Sequence, residues 1–276
     1  MFTRKLAGRG AFLIGPVLLL AGLASLGTGG SASAESRAKQ RPTIVLVHGD
    51  WADASSWNSV IKRLMGRGQT VVAPPNLLRG PVTDAAYLRS YLQTISGPIV
   101  LVAHSYGGFV ITNAATGNPN VKALVYIDAF VPDEGESAGV LVGTSGSCVT
   151  ESGFNQVPYD GGVDLYLRWE ANPPYPGYIN CFANGVEPKE ARILHATQRP
   201  AAVNQFTEVS GPPAWKTIPS WSLIGTQDNV IPRALQEKMS TRAGARITRV
   251  TAGHLTLITR PDDVTRMILA AADATT

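Results

Sequence analysis

Short apolar runs rich in Val, Ile and Leu recur along the chain at Thr43–Val47, Thr70–Ala73, Ile99–Ala103, Val121–Ile127, Ser220–Gly225 and Arg246–Val250. The first and third are apolar at nearly every position instead of alternating, as expected of strands buried on both faces of a parallel sheet. Helical periodicity fills the intervals. It is expected from about Ser55 to Met65, from Asp84 as an N-cap to Ile95, from just after Ser105 to Thr116, after Pro232, and from about Pro261 to Ala272. Strand and helix in alternation imply right-handed βαβ crossovers and a parallel sheet. From Pro132 to about Trp215 the rhythm breaks: Pro, Gly and aromatic residues are frequent, and only short helical patterns stand near Asp164–Glu170 and Glu187–Ala196. The pattern therefore predicts an α/β fold, a mostly parallel central sheet flanked by helices, with an insertion at about 132–215 serving as a cap.

The chain starts with Arg4, Lys5 and Arg9, continues through an apolar stretch from about Ala11 to Leu26, and reaches Ala32-Ser33-Ala34. A charged start, a short apolar run and a small-residue exit are the marks of a secretory signal peptide, with cleavage expected after Ala34. An uncleaved anchor is the alternative, which the shortness of the run disfavours. Residues 35–276 are then the folded domain, long enough for one large buried core. Of the net charge of +4, three positive charges belong to the leader. The remainder is nearly neutral, so neither a nucleic acid nor a stable membrane association after cleavage is expected as a partner. The two cysteines, Cys148 and Cys181, form an even pair in a chain expected to be exported. A disulfide is the favoured reading, against two buried thiols.

Candidate chemistry gathers where strands end. Ile99–Ala103 runs into His104-Ser105-Tyr106-Gly107-Gly108. A serine hydroxyl attacks a carbonyl only when a base takes its proton, and a sharp strand-to-helix turn exposes it to that base. Such a turn needs small residues two places before and two after the serine, here Ala103 and Gly107. The helix after Ser105 also directs backbone N–H groups and its positive end at the site. His254 follows the strand Arg246–Val250 in a Gly-led loop, at the sheet edge where open α/β sheets bind ligands. Four histidines are present, His48, His104, His195 and His254, and no metal-spaced pair is among them. Two aspartates compete as the partner of His254. Asp228 follows the strand Ser220–Gly225, and Asp128 follows Val121–Ile127. The consecutive strands favour Asp228, with Asp128 expected to cap or bond the start of the insertion.

The motifs Val47-His48-Gly49-Asp50-Trp51, Ala103-His104-Ser105-Tyr106-Gly107-Gly108, Gly225-Thr226-Gln227-Asp228 and Ala252-Gly253-His254, in the order serine, acid, histidine, resemble the α/β-hydrolase superfamily, in its short form similar to plant esterases and hydroxynitrile lyases. Ala103 departs from the usual glycine by one methyl group. The resemblance implies Ser105, Asp228 and His254 as a catalytic triad, with the backbone N–H groups of Asp50 and Tyr106 as the oxyanion hole. It implies structural roles for His48 and His104, and Asp53 reads as a loop or helix-cap residue. His195 reads as a partly exposed helix residue able to touch substrate.

Hydrolysis of a small ester or lactone through an acyl-enzyme is the expected activity, with no cofactor and no metal. The lyases of this resemblance carry lysine directly after the histidine. Leu255 stands there, which counts against carbon–carbon lysis. A non-catalytic binding module and perhydrolase-type chemistry are the alternatives. The expected partner is a small, fairly apolar ester under a covering cap. Trp169, Tyr175, Tyr178 and Phe182 are the candidates to line its pocket or to form the cap's own core.

Overall fold

The computed structural model describes residues 40–275. The expected leader and its cleavage point after Ala34 lie outside the described residues. The first half alternates as the pattern predicts: β1 (Thr43–Val47), a 3-10 turn at Ala54–Trp57, α1 (Asn58–Met65), β2 (Val71–Val72), α2 (Pro81–Leu92), β3 (Ile99–His104), α3 (Gly107–Ala114) and β4 (Val121–Ile127). The chain then leaves the main sheet through α4 (Ala138–Gly143), β5 (Phe154–Tyr159), β6 (Gly162–Leu167), α5 (Tyr178–Cys181), α6 (Pro188–Ala196), β7 (Ala201–Ala202) and α7 (Asn204–Thr207). It returns as β8 (Ser220–Gly225), α8 (Arg233–Arg242), β9 (Arg246–Val250), α9 (Thr256–Thr259) and α10 (Pro261–Asp273).

The main sheet has the order β2-β1-β3-β4-β8-β9, and all of its pairs are parallel. β3 is buried at every residue, which explains its unbroken apolar run. The far edge strand β9 is largely exposed and carries Arg246 and Arg249, charges that blunt an open edge. From β1 the chain steps outward to β2 and comes back on the other side as β3, so winding reverses between β1 and β3. Ligands in open α/β sheets bind beyond the strand ends at such a reversal. Here β1 and β3 run in register from Thr43 against Ile99 to Val47 against Ala103, which brings the Gly49 loop beside Ser105.

Two elements differ from the sequence expectation. The segment near Asp164–Glu170 is not helical: β6 pairs antiparallel with β5 across Asp160-Gly161, and β7 adds a third strand. Asp160-Gly161 between two extended runs is a hairpin signal, with Gly161 at a φ of 91° that suits glycine. The helix α2 begins at Pro81 behind a Gly80 cap, not at Asp84. Proline at the first position has its φ preset for a helix and lacks an N–H that would go unpaired there. Asp84 instead sits one turn inside, buried, where its carboxylate accepts from the Arg79 backbone N–H at 3.0 Å and from the Tyr106 hydroxyl at 2.7 Å.

Candidate active site

Ser105 stands between β3 and α3 with a φ of 55°. That left-handed conformation strains a residue with a side chain, by roughly 1–3 kcal/mol. Tight packing of small residues holds it. A methyl group on Gly49 would stand 2.6 Å from Ser105 Cβ, and one on Gly107 would stand 2.9 Å from the Val47 carbonyl and 3.3 Å from Ala103 Cβ. The methyl of Ala103 is therefore accommodated because Gly107 supplies none. Among the described residues, no acceptor takes the backbone N–H of Asp50 or of Tyr106. These two donors flank the serine on the β1 and α3 sides.

His254 follows β9, and its Nε2 lies 3.0 Å from Ser105 Oγ. Its Nδ1 lies 2.8 Å from Asp228 Oδ2, with both side chains wholly buried. Asp228 is fixed by the loop after β8: Oδ1 accepts from the Val230 and Ile231 backbone N–H groups at 2.8 and 2.9 Å, and Oδ2 also accepts from Gln236 Nε2 at 2.8 Å. Burial pushes the Asp228 carboxyl up, and those donors oppose the shift. Burial lowers the His254 imidazole to about 3, which keeps it neutral at ordinary pH. A neutral imidazole whose Nδ1–H donates to a carboxylate presents a bare Nε2 to the serine hydroxyl.

A model of the alpha/beta hydrolase family matches residues 44–267. The chain belongs to that family. An esterase named for hydrolysing carbendazim, from Nocardioides sp. (strain SG-4G), is 35% identical over 112 residues, spanning 36% of this chain and 46% of that one. Methylesterase 8 of Arabidopsis thaliana is 22% identical over 262 residues, spanning 88% of this chain and 93% of that one. Among solved structures, a methylesterase from Arabidopsis superposes with a TM-score of 0.68 at 17% identity, covering 84% of this chain and 99% of that one. The resemblance to plant esterases read from the motifs is thus met in both sequence and fold.

The other candidates of this alpha/beta hydrolase fall into supporting positions. Asp128, after β4, faces Gly225 and Thr256 rather than His254: Oδ1 accepts from the Gly225 N–H at 2.7 Å, and Oδ2 from the Thr256 hydroxyl at 2.5 Å. It ties β4 to β8 and to the helix beyond the histidine loop, not to the insertion as expected. Burial and then the neighbouring Asp228 charge push its carboxyl up. His48 Nε2 accepts from the Asn76 N–H at 3.0 Å, and the Asn76 side chain donates to the His48 carbonyl at 3.0 Å. Burial lowers that imidazole to about 4, so it stays neutral and holds the Gly49 loop. His104 Nε2 donates to the His254 carbonyl at 3.0 Å, fixing the histidine loop from beneath. Asp53 caps the 3-10 turn by accepting from the Ser55 N–H at 2.7 Å. His195 is half-buried between Trp169 and Tyr178, with Nε2 3.0 Å from the Leu167 carbonyl.

A narrow pocket opens at Ser105, lined by Asp50, Trp51, Phe130, Ala138, Val142, Val149, Gln205, Phe206 and Val230. None of the four aromatic residues proposed from sequence is in this lining. Tyr175, Tyr178 and Phe182 are instead fully buried in the insertion, with Trp169 stacked on Tyr178. Phe182 still reaches the site indirectly, its ring 5.4 Å from that of His254. The residue that joins the insertion to the nucleophile is Trp51. Its ring meets Phe154, Phe182 and Phe206, and its indole N–H donates to the Leu165 carbonyl at 2.9 Å. No linear motif marks Gln205 or Phe206, and the motif that contains Trp51 does not show this contact, because it comes from the way the insertion folds over β1. Cys148 and Cys181 are joined, with Cα atoms 5.6 Å apart.

Proposed function

We propose that the protein hydrolyses small carboxylic esters or lactones through an acyl-enzyme on Ser105. The observation that carries this reading is the unbroken hydrogen-bonded line from Ser105 Oγ through the His254 ring to Asp228, with the serine on a strained turn at the wall of the pocket. Ser105 Oγ attacks the carbonyl carbon as His254 Nε2 takes its proton. Asp228 keeps the ring in the required tautomer and stabilises the imidazolium that forms. The N–H groups of Asp50 and Tyr106 receive the developing oxyanion, where fixed donors in a dry site act most strongly. His254 then protonates the departing alcohol, and a water activated by the same nitrogen releases the acid. Relatives named as esterases support the bond type.

Reaction with a fluorophosphonate tests the nucleophile directly. A single adduct on Ser105 is expected, and Ser105→Ala should lose both the adduct and nearly all esterase activity, since losses on removing a nucleophile reach roughly a million-fold. An adduct elsewhere, or full activity in the variant, rejects the assignment.

The same reading includes export. The Arg4-Lys5 start, the apolar stretch and Ala32-Ser33-Ala34 support cleavage before Glu35, and the Cys148–Cys181 bridge suits an oxidising compartment. Amino-terminal sequencing of secreted protein should begin at Glu35. Protein retained in membranes with Met1 intact would refute it.

A further inference from the structure

The pocket beside Ser105 is apolar on most of its wall, yet two of its residues are not. Asp50 follows the Gly49 loop, and Gln205 sits on α7. Both are at least nine-tenths buried, at 5% and 1% exposure. Asp50 Oδ1 has no hydrogen-bond partner, and neither end of the Gln205 amide has one. Gln205 lies beside Asp50 without a well-formed bond to it. Buried polar atoms left unpaired are rare and costly, and neither side chain is needed to fill space that a Val or Leu would fill. The neighbouring network does not absorb them: Asp84 is already taken by the Arg79 N–H and the Tyr106 hydroxyl. Burial first, and then the Asp84 charge, push the Asp50 carboxyl up, with Gln205 opposing, so the pair favours the protonated form that can donate as well as accept. An acid and a carboxamide side by side offer both donors and acceptors.

Their place relative to the reaction is set by the chain. The Asp50 backbone N–H is the proposed oxyanion donor, and its carboxyl carbon is three bonds of about 1.5 Å from that nitrogen. A group that meets this carboxyl is therefore carried close to the scissile carbonyl. We propose that Asp50 and Gln205 form a polar subsite that holds a hydroxyl or amide N–H on the carbon next to the ester carbonyl, while the aromatic and aliphatic wall takes the rest of the substrate. This rests on Ser105 being the nucleophile of an ester hydrolase. It replaces the expectation of a uniformly apolar substrate with that of a 2-hydroxy or 2-acylamino ester.

The test compares methyl mandelate with methyl phenylacetate, which differ only in the hydroxyl next to the carbonyl, using a titration assay that follows acid release. In the unmodified protein, kcat/KM should favour a mandelate enantiomer by roughly 10- to 100-fold, because without the hydroxyl the buried pair stays unpaired. Gln205→Met, which conserves volume, and Asp50→Ala should each bring that ratio toward one. Fluorophosphonate labelling of Ser105 in each variant reports an intact site. A ratio near one in the unmodified protein, with Ser105 labelled, overturns the subsite and leaves the esterase reading standing. So does a ratio unchanged by both substitutions. Labelled Ser105 with neither ester hydrolysed also rejects the proposed substrate class, whereas no labelling and no turnover defeats the nucleophile assignment and the subsite together.

Discussion

Two aspartates at the carboxyl edge of the sheet, Asp128 and Asp228, are both wholly buried and yet do different work. Asp228 is held by two backbone N–H groups and Gln236 so that one oxygen faces His254, while Asp128 spends both oxygens on Gly225 and Thr256. Asp228→Asn should lower kcat by about a thousand-fold or more with a smaller change in KM, because the amide no longer selects the right tautomer or balances the imidazolium. Asp128→Asn should cost less than about ten-fold in kcat, since the amide oxygen can still accept from Gly225. Steady-state kinetics of the two variants decide, and the reverse order would move the acid to β4. The histidine has its own signature. Burial lowers His254, and a base fails as pH falls through its pKa, so activity should persist below pH 6.5 and the acid limb of kcat/KM should lie beneath that ordinary value. A pH profile whose acid limb falls at or above 6.5 would contradict this.

At the scale of elements, the insertion holds the acid loop as well as covering the serine. The Cys148 N–H donates to the Asn229 carbonyl at 2.8 Å, Ser147 Oγ to the Val230 carbonyl at 2.6 Å, and Asn229 Nδ2 to the Asn180 carbonyl at 2.9 Å. The bridge between Cys148 and Cys181 therefore ties together two segments that both grip the loop carrying Asp228. It closes a separation of 33 residues, for which the loop-entropy account gives about 3–4 kcal/mol. Cys148→Ser/Cys181→Ser should melt at a lower temperature, and its KM should rise because Val149 and Val230 both line the pocket. Thermal melts and kinetics side by side would show it, and an unchanged KM would limit the bridge to stability. The inner strands of the main sheet and the serine turn are readable from sequence because burial on both faces leaves an unbroken apolar run, as in Ile99–Ala103. The insertion is not. The stretch Asp164 to Glu170 is short and mixed and reads as helical from sequence, whereas the strand state of β6 is imposed by pairing with β5 across Asp160-Gly161. Asp84 looked like a cap by residue type, but Pro81 carries the stronger start signal. Gln205 and Phe206 gave no signal, since α7 has only four residues and its contact with Trp51 joins parts of the chain far apart in sequence.

Across the whole molecule, the groups at the site are drawn from almost the full described length: Asp50 after β1, Ser105 after β3, Gln205 from the insertion, Asp228 after β8 and His254 after β9. The sheet order β2-β1-β3-β4-β8-β9 places the last two strands at one edge, added after the insertion has been passed. Every strand pair in that sheet is parallel and must close a long stretch of chain before its contacts form, which slows assembly. A partly assembled protein with only β1 to β4 in place would own a nucleophile but no base. Recovery of turnover on refolding should therefore lag behind recovery of helix and sheet content, and rapid mixing with a chromogenic ester against far-ultraviolet circular dichroism would measure the delay. If both returned together, the docking of β8 and β9 would not be a late event. If the chain is exported as proposed and β8 and β9 dock late, hydrolytic capacity would be the last property the protein acquires.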